Sequence, residues 1–382
     1  MSALRRDACP TLAAPMASGD GLLARLAPES LTPDQLARLA RAAGRFGNGV
    51  MEITARGSLQ IRGLSAETAP SFAAEVEVLG LAPPAGPPVL TGALAGLDPG
   101  EIADPRPLAS VLRGFAGPLR PKVSAIVDGG GALHLDALAA DLRLCATPEG
   151  WLLAAGGTAG TARGLGVFDA EAAAAAALAL LDVLSRAGAR ARDLDLGTLV
   201  RPGVARPPIR PPALALGRFR LRQGLARAVA APFGHAASGA FEALAVAAKG
   251  ATELRLAPGG ALVALGLDPV ADVRLRAAAA RLGFVTDPGD PRLGVVACPG
   301  APACHAGLLP TRAMAGAIAA ASVTPSGARL HLSGCSKRCA QPFGPAITLV
   351  AMPDGPLVTG EGVPVPDDLR AYLLAQAEAA SS

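Results

Sequence analysis

Lysine and aromatic residues are scarce in this chain of 382 residues. Lysine stands only at positions 122, 249 and 337, and aromatic residues make up 3% of the sequence. Arginine therefore supplies nearly all of the positive charge, and the core has to be built from aliphatic side chains. The net charge is only +4, and no basic run is interleaved with aromatic residues. Both features argue against a protein that binds nucleic acid.

Long apolar runs are also missing. The run from Ala172 to Leu181 lies between Glu171 and Asp182. It is shorter than the ~20 residues that a membrane-spanning helix needs. The first residues of the chain do not form the continuous apolar stretch of a signal peptide. We therefore expect a cytoplasmic protein without a membrane partner, in a compartment that keeps thiols reduced.

Four of the six cysteines lie in two short pairs, Cys298-x5-Cys304 and Cys335-x3-Cys339. Each pair follows an apolar run that predicts a β-strand, over residues 293–297 and 329–333. Two such strand ends would bring four thiols to one place. Grouped thiols are typical of a metal centre.

Two kinds of metal centre are compatible with these pairs. Structural zinc sites favour cysteines about two to four residues apart in compact turns. The longer first gap, with Pro299 and Pro302 inside it, and a helix predicted over 311–322 fit that arrangement poorly. Four cysteines also hold a [4Fe-4S] cluster, which the spacing favours. Zinc and cysteines without a shared role remain as alternatives, whereas a disulfide framework is not expected in a long chain without a secretion signal.

The clearest strand pattern in the chain runs from Met51 to Arg62. Small or apolar residues alternate with polar ones, and a period of two places the polar set on one face. The polar set is Glu52, Thr54, Arg56, Ser58, Gln60 and Arg62. From the pattern alone, this face is either the solvated side of a half-buried sheet or the wall of a binding site. Guanidinium groups on a rigid face would suit a ligand that carries carboxylates.

A β-meander is predicted further along, with strands over 122–127, 132–136 and 141–144 and a glycine turn at 129–131. Its first residue is Lys122. Without other information, this side chain is a solvated lysine at the start of a strand.

The order of elements occurs twice along the chain. A helix with a capping box at Thr32 and Gln35 precedes the polar strand region. After an Arg- and Pro-rich connection at 201–212, a second helix and strand pair repeat the pattern over 241–267. Duplication predicts a pseudo-twofold molecule with a site at the seam. The second copy is nearly all apolar over 262–267, so the first copy would supply charged contacts and the second the metal centre.

The two cysteine pairs resemble the cluster signature of the siroheme sulfite and nitrite reductase superfamily. Inside the second pair, Ser336-Lys337-Arg338 departs from the reductases and is similar to the precorrin-3B synthases, one family of that superfamily. Three further segments resemble the same family: Arg5-Arg6-x-x-Cys9-Pro10, Pro15-Met16-x-x-Gly19-Asp20-Gly21-Leu22-Leu23 and Leu94-Ala95-Gly96-Leu97-Asp98-Pro99. The resemblance covers almost the whole chain.

The resemblance implies an α+β fold. The expected architecture is internally duplicated and pseudo-twofold, like nitrite and sulfite reductases, with ferredoxin-like half domains and mixed or antiparallel sheets flanked by helices. The expected domains are a leader with the first half domain at 1–80, a reductase-like α/β domain at 81–200, a linker at 201–217, a second half domain at 218–290 and an iron–sulfur cluster domain at 291–382.

The resemblance also implies roles for single residues. Thr54, Arg56 and Gln60 match the element that lines the tetrapyrrole pocket of the superfamily, and Lys122 matches one of its two lysines, while Ser124 replaces the other. The implied substrate-binding residues are Thr54, Arg56, Gln60, Arg62, Lys122 and Arg338. The implied catalytic residues are Lys122 and Lys337. The implied cluster ligands are Cys298, Cys304, Cys335 and Cys339, of which Cys339 matches the cysteine that bridges the cluster to the siroheme iron.

The family reaction is the O2-dependent hydroxylation of precorrin-3A at C20 with γ-lactone formation, a step of aerobic cobalamin synthesis. The resemblance thus implies an enzyme whose [4Fe-4S] cluster receives electrons from NAD(P)H, directly or through an electron-transfer partner. No Gly-x-Gly-x-x-Gly opens a helix after a strand, so no nicotinamide site is predicted. Siroheme and a mononuclear non-haem iron are alternatives for an additional centre. A siroheme-dependent sulfite or nitrite reductase and a zinc-stabilised binding module stay open as other functions.

Overall fold

The computed structural model describes residues 9–83, 86–195, 206–211, 213–325, 327–342 and 344–381. These residues form four β-sheets and eight α-helices. The segment Arg5-Arg6 and half of the Arg- and Pro-rich connection at 201–212 lie outside the described residues. Among the helices of the described part, none has the length and apolarity needed to cross a membrane.

The first ferredoxin-like unit is an antiparallel sheet covered by two helices. Its elements are β1 (Met16–Ser18), β2 (Gly21–Leu26), α1 (Pro33–Phe46), β3 (Val50–Ile53), β4 (Leu59–Leu64) and α2 (Thr68–Val78). The strands lie in the order β1-β2-β4-β3. Helix α1 begins at the predicted capping box, in which the Gln35 N–H donates to Thr32 Oγ1 at 3.1 Å and the Thr32 N–H donates to Gln35 Oε1 at 2.8 Å.

The first α/β unit follows it. Its elements are β5 (Val89–Leu90), α3 (Arg106–Arg113), β6 (Ala125–Asp128), β7 (Leu142–Thr147), β8 (Gly150–Ala155), β9 (Arg163–Phe168) and α4 (Ala170–Ala187). The strands lie side by side in chain order. Helix α4 begins at Asp169, whose carboxylate accepts from the Ala172 N–H at 2.8 Å, and ends at Gly188 in a left-handed conformation.

Both kinds of unit then occur a second time. The second ferredoxin-like unit contains β10 (Gly217–Arg220), β11 (Leu225–Ala230), β12 (His235–Ala237), α5 (Ser238–Ala247), β13 (Glu253–Ala257), β14 (Ala261–Leu267) and α6 (Pro269–Arg281). The second α/β unit contains β15 (Val295–Ala297), α7 (Thr311–Ala320), β16 (Arg329–Ser333), β17 (Ala346–Val350), β18 (Leu357–Glu361) and α8 (Asp367–Ser381). The order β11-β14-β13 repeats the order β2-β4-β3 of the first unit.

The two ferredoxin-like units exchange segments across a pseudo-twofold axis. Leu31, which follows β2, forms a bridge with Leu254 on β13, and β12, which follows β11, pairs with β3 as the fifth strand of the first sheet. Helices α1 and α5 pack against each other in one shared core. The predicted duplication is therefore confirmed, and each unit is completed by a segment of the other.

The polar region from Met51 to Arg62 is a hairpin, and the prediction of one continuous strand was wrong. The Thr54 N–H donates to the Ser58 carbonyl at 2.8 Å, and the Gly57 N–H donates to the Thr54 carbonyl at 2.9 Å. Gly57 has a φ of +78°, which favours glycine. Glu52 pairs directly with Gln60 across the hairpin. Directly opposed residues lie on the same face of a sheet, and both positions are even-numbered, so Glu52 and Gln60 still share one face.

The predicted β-meander was also wrong. Strands β6 and β7 are parallel, and residues 132–136 are a loop between them. Two buried carboxylates hold this loop: Asp128 accepts from the Gly130 N–H at 2.8 Å and Asp98 from the Ala132 N–H at 2.6 Å. These side chains satisfy the N–H groups that a strand would have paired with a neighbour.

Candidate metal centre and adjoining sheet face

The cysteine pairs follow two neighbouring parallel strands. Strand β15 pairs with β16, and the Cys298 N–H continues the ladder by donating to the Leu332 carbonyl at 3.1 Å. Cys335 lies two residues beyond the end of β16. Because parallel strands end at the same edge of a sheet, both loops leave side by side. The predicted delivery of the cysteines by two strand ends matches this geometry.

Glycine allows the two cysteine loops to approach each other closely. The Gly334 N–H donates to Sγ of Cys298 at 3.1 Å. A Cβ on Gly334 would lie 3.0 Å from Cα of Gly300 and 3.5 Å from that Sγ. Thr311, the first residue of α7, donates its hydroxyl to the Cys298 carbonyl at 2.7 Å. Cys298 is thus fixed twice, by the Gly334 N–H at its sulfur and by the Thr311 hydroxyl at its carbonyl.

The four cysteines share one neighbourhood. Cys298 is buried, Cys304 and Cys335 are half-buried and Cys339 is exposed. Although Cys339 is exposed as a residue, partial burial of its thiol is the largest cause that raises its pKa. The charges of Cys335, Cys298 and Cys304 raise this pKa further, while Lys337 acts in the opposite direction. Thiolates gathered in this way repel each other unless a cation lies among them.

The donor set fits an iron–sulfur cluster. Within the described ranges, no three His, Cys, Asp or Glu side chains converge on the position of a single metal ion. Four cysteine thiolates are the ligand set that a [4Fe-4S] cluster takes. The N–H donated to Sγ of Cys298 is the kind of hydrogen bond that tunes the potential of such clusters.

A row of polar side chains crosses the outer face of the first sheet. Arg25 on β2 lies opposite Gln60 on β4, Gln60 lies opposite Glu52 on β3, and Glu52 lies opposite His235 on β12. With the Gln60 amide oriented to satisfy both neighbours, its oxygen accepts from Arg25 Nε at 3.0 Å and its nitrogen donates to Glu52 Oε2 at 2.9 Å. The polar set is therefore a connected network rather than a solvated face.

This row continues into the second α/β unit, here called the cysteine domain because it contains the four cysteines of the two pairs. Arg312 on α7 donates to Glu52 Oε1 at 2.5 Å. The pKa of His235 is lowered to about 4, mainly by burial and then by the charge of Arg312. His235 is thus neutral near pH 7, and its Nδ1 is buried without a hydrogen-bond partner in the described part of the chain. The outer face of the sheet and the start of α7 are thus in direct contact.

Arg62 belongs to the same face but lies deep inside it. Its guanidinium pairs with both carboxylate oxygens of Asp20 at 2.8 Å and lies 3.3 Å from Glu52. Burial alone would lower the pKa of Arg62, but the hydrogen bonds to Asp20 and the charge of Glu52 raise it. The side chain is 3% exposed. Its predicted contact with a substrate stays a prediction, whereas its ion pairs are observed.

Arg56 lies in the hairpin turn beside other arginines. It is half-buried, and it donates to the Ala139 carbonyl at 2.9 Å and to Ser124 Oγ at 3.4 Å. The pKa of Arg56 is lowered, mainly by burial and then by the charge of Arg190, with a smaller effect of Arg25. Three cations are thus gathered at one end of the polar row.

Two arginines of this group, Arg25 and Arg190, were not predicted from the sequence. Arg190 follows α4 and is oriented by Asp141, whose Oδ1 accepts from its Nε at 2.7 Å. Only the fold brings it to the hairpin. Arg25 is the only charged residue in the otherwise apolar segment Gly21–Leu26, and that segment has no alternation that would assign it to a polar face.

The remaining predicted residues lie around these two centres. Thr54 shapes the hairpin turn, with its Oγ1 2.9 Å from Ser58 Oγ. Lys122 is exposed two residues before Ser124, in a left-handed conformation with a φ of +72°. Lys337 is exposed between Cys335 and Cys339, whereas Arg338 turns toward β18 and pairs with Glu361 at 2.5 Å. Lys122 thus adjoins the arginine group, and Lys337 adjoins the cysteines.

Comparison with known proteins gives the fold and the family. A family model described as the nitrite/sulfite reductase ferredoxin-like half domain matches residues 14–79. A precorrin-3B synthase from Sinorhizobium sp is 39% identical over 381 residues, which cover 93% of this chain and 83% of the relative. The solved structure of the Mycobacterium tuberculosis NirA protein aligns with a TM-score of 0.72 at 20% identity, over 89% of this chain and 73% of that one. The expected reductase-like α+β fold is confirmed.

Proposed function

This chain belongs to the precorrin-3B synthase family, and we propose that it is an oxidoreductase of aerobic cobalamin biosynthesis that converts precorrin-3A to precorrin-3B. The reaction would be an O2-dependent hydroxylation at C20 with formation of a γ-lactone from the ring A acetate. One oxygen atom enters the product and the other leaves as water. NAD(P)H supplies the pair of electrons, directly or through a partner protein.

The observation that carries this proposal is the continuity between an arginine-rich sheet face and a four-cysteine centre. Arg312 joins Glu52 of the polar row to α7, directly after the C-x5-C loop. The row ends at a group of three arginines on the other side. A substrate with many carboxylates and a one-electron centre would therefore meet on one surface.

We propose that Cys298, Cys304, Cys335 and Cys339 hold a [4Fe-4S] cluster, which supplies one-electron transfer when bound. Arg25 and Arg56 would bind carboxylates of the macrocycle, since guanidinium groups pair with carboxylates through two parallel hydrogen bonds. Arg190, whose Nε is held by Asp141, would add a positive charge beside them. Thr54 and Gln60 would orient Arg56 and Arg25. Arg62 and Arg338 pair with protein carboxylates, so they would support the binding surface without contacting the substrate directly.

We propose that one of the two exposed lysines donates protons to the reaction. Lys337 lies between two of the proposed ligands, and Lys122 lies beside the residue that accepts from Arg56. Reduction of O2 to water consumes protons, and an ammonium group near the site can deliver them. We assign this role to Lys337 and an additional contact with substrate to Lys122.

The test begins with anaerobically purified protein, its visible spectrum and its iron, sulfide and zinc content. Near-equal iron and sulfide with broad absorption supports the cluster. Sharp porphyrin-type bands would instead indicate a siroheme reductase, and a colourless zinc protein would contradict both functions. An iron content that exceeds the sulfide content by about one atom per chain would indicate an additional mononuclear iron.

Turnover of precorrin-3A under 18O2 then tests the reaction. We expect one labelled oxygen in the product of the wild type and no product from Cys335→Ala or Cys339→Ala. Cys145→Ala is the matched control, because Cys145 is a buried thiol on β7 outside the centre, with a pKa that burial raises to about 12. Turnover that survives loss of Cys335 and Cys339 contradicts the mechanism.

A further inference from the structure

Three hydrogen-bond donors converge on the carbonyl of Ala303, the residue before Cys304. Ser18 Oγ donates at 2.8 Å and the Gly19 N–H at 3.2 Å. Arg62 Nη2 donates to the same oxygen. A carbonyl has two lone pairs, so three donors saturate it. All three donors belong to the first sheet, whereas the acceptor lies in the C-x5-C loop.

The two backbones are in direct contact at this point. A Cβ on Gly19 would lie 2.3 Å from the Pro302 carbonyl oxygen and 2.8 Å from the Cys304 nitrogen. No side chain larger than hydrogen fits between the turn after β1 and the loop. The loop therefore rests on the sheet through backbone atoms, whose positions vary less than those of long side chains.

Arg62 is held rigidly by its other partners. Asp20 binds its Nε and Nη2 through two hydrogen bonds of 2.8 Å, and Nη2 also donates to Ser18 Oγ at 2.6 Å. A paired and buried guanidinium cannot turn toward another acceptor without leaving Asp20 unpaired. Nη2 carries two hydrogens and has three acceptors within reach, so it shares one hydrogen between Ser18 Oγ and the Ala303 carbonyl while the guanidinium stays fixed by Asp20.

We infer that Arg62 is a positioning residue for the cysteine loop. Together with Ser18 and Gly19 it forms a clasp, here named the Ala303 clasp, that fixes the backbone next to Cys304. The clasp thereby sets the place of the Cys304 thiol relative to the thiols of the other three cysteines. This inference rests on the proposed cluster, whose ligand geometry the clasp would determine.

The second half of the molecule contains a matching contact without cysteines. Arg255 is 8% exposed and donates to the Ala95 carbonyl at 2.7 Å, in the loop after β5. By strand register it has the position of Glu52 and not that of Arg62, because it pairs across its hairpin with Val263 as Glu52 pairs with Gln60 in the first copy. An arginine of the second sheet thus holds a loop of the first α/β unit. Arg255→Met removes a similar contact far from the proposed ligands.

The experiment measures how fast iodoacetamide alkylates each cysteine in the metal-free protein, by peptide mass spectrometry. We expect Arg62→Met to raise the alkylation rate of Cys304 relative to that of Cys339 about tenfold. Loss of about 1.4 kcal/mol of local stability increases the equilibrium constant for local opening of the loop tenfold. Ser18→Ala should raise the ratio by a smaller factor, and Arg62→Lys should restore part of the loss. Arg255→Met should leave the ratio unchanged.

Iron and sulfide content and the EPR spectrum of the reduced, reconstituted protein are the second readout. Arg62→Met should lose cluster and change the spectrum, whereas Arg255→Met should match the wild type. An unchanged Cys304 ratio in both Arg62→Met and Ser18→Ala would overturn the clasp, as would an equal rise in Arg255→Met. If Arg62→Met does not fold, Ser18→Ala decides. A wild type without a cluster would refute the proposed function, and the alkylation ratio would still decide the clasp.

Discussion

The backbone N–H of Gly334 lies 3.1 Å from Sγ of Cys298, and this hydrogen bond joins the loops that follow β15 and β16. The two loops carry all four proposed ligands. Their approach depends on the missing side chain of Gly334, because a Cβ there would lie 3.0 Å from Cα of Gly300. Backbone atoms at that distance cannot move aside cheaply, so a methyl group would push the loops apart.

Gly334→Ala should therefore reduce the iron and sulfide content of the purified protein several-fold. The matched control is Gly316→Ala, because Gly316 lies in α7 with open space around its Cβ position. Alanine in a helix interior is expected to stabilise the protein by about 0.5–1 kcal/mol relative to glycine. Equal metal content in the two variants would show that the loop approach is not needed for metal binding.

Arg25→Met should weaken the binding of precorrin-3A by about tenfold to a hundredfold, because a hydrogen bond between charged groups contributes about 1.5–3 kcal/mol. Fluorescence or absorbance titration of the tetrapyrrole measures the dissociation constant. The control is Arg41→Met, whose side chain is 58% exposed on α1 and pairs only loosely with Glu242. If Arg41→Met weakened binding as much as Arg25→Met, net charge rather than a defined site would be responsible.

The parts of the site that the sequence predicted are those with local signals. The cysteine pairs and the strands before them lie within a few residues of each other, and the spacing alone shows that both pairs follow strand ends. The alternation also correctly predicted that Glu52 and Gln60 share one face, although a turn lies between them. Residues that lie directly opposite each other in a hairpin always point to the same face. Duplication was visible because the same order of elements recurs.

The parts that the sequence did not predict depend on distant segments. Arg190 is oriented toward the hairpin by its hydrogen bond to Asp141, which lies 49 residues earlier in the chain. Arg62 was predicted to face a ligand, but Asp20 lies 42 residues before it and binds the same guanidinium. The strand predicted over 132–136 failed for the same reason, since the carboxylate of Asp98 holds that loop from 34 residues away.

Stability should depend on pH through Glu101. The pKa of Glu101 is raised to about 7 from an ordinary value of 4.5, mainly by burial and then by the neighbouring carboxylates of Asp104 and Asp98, against the lowering effect of the Gly96 N–H. Between these two values the folded chain binds a proton that the unfolded chain does not. The contribution of Glu101 is therefore favourable below pH 4.5 and is lost as the pH rises toward 7.

Glu101→Gln should raise the melting temperature more at pH 8 than at pH 5. Glutamine keeps an oxygen that can accept from the Gly96 N–H, which donates to Glu101 at 2.8 Å, but it cannot ionise. Thermal unfolding of both proteins at the two pH values measures the difference. A melting-temperature gain that is larger at pH 5 would show that the carboxylate is stabilised, not destabilised, by its surroundings.

The ion pair between Glu52 and Arg312 joins the first sheet to the cysteine domain, and a double-mutant cycle can measure its coupling. Both side chains are largely buried, at 7% and 16% exposure. Glu52→Gln should destabilise the protein by about 3–5 kcal/mol, because Arg312 loses its carboxylate partner. Arg312→Met should destabilise it less, because Glu52 keeps Arg62 at 3.3 Å. The double variant should recover about 1–3 kcal/mol of the summed loss.

The pair between Arg38 and Glu75 is the control for this cycle. Its atoms are 3.0 Å apart, but the side chains are 38% and 35% exposed. Water screens such a pair, so its coupling should be about 0.2–1 kcal/mol. Urea unfolding of the four proteins in each cycle gives both coupling energies. If the coupling between Glu52 and Arg312 were no larger than this, the buried network would not hold the cysteine domain against the sheet, and the backbone contacts of Ala303 would have to do so alone.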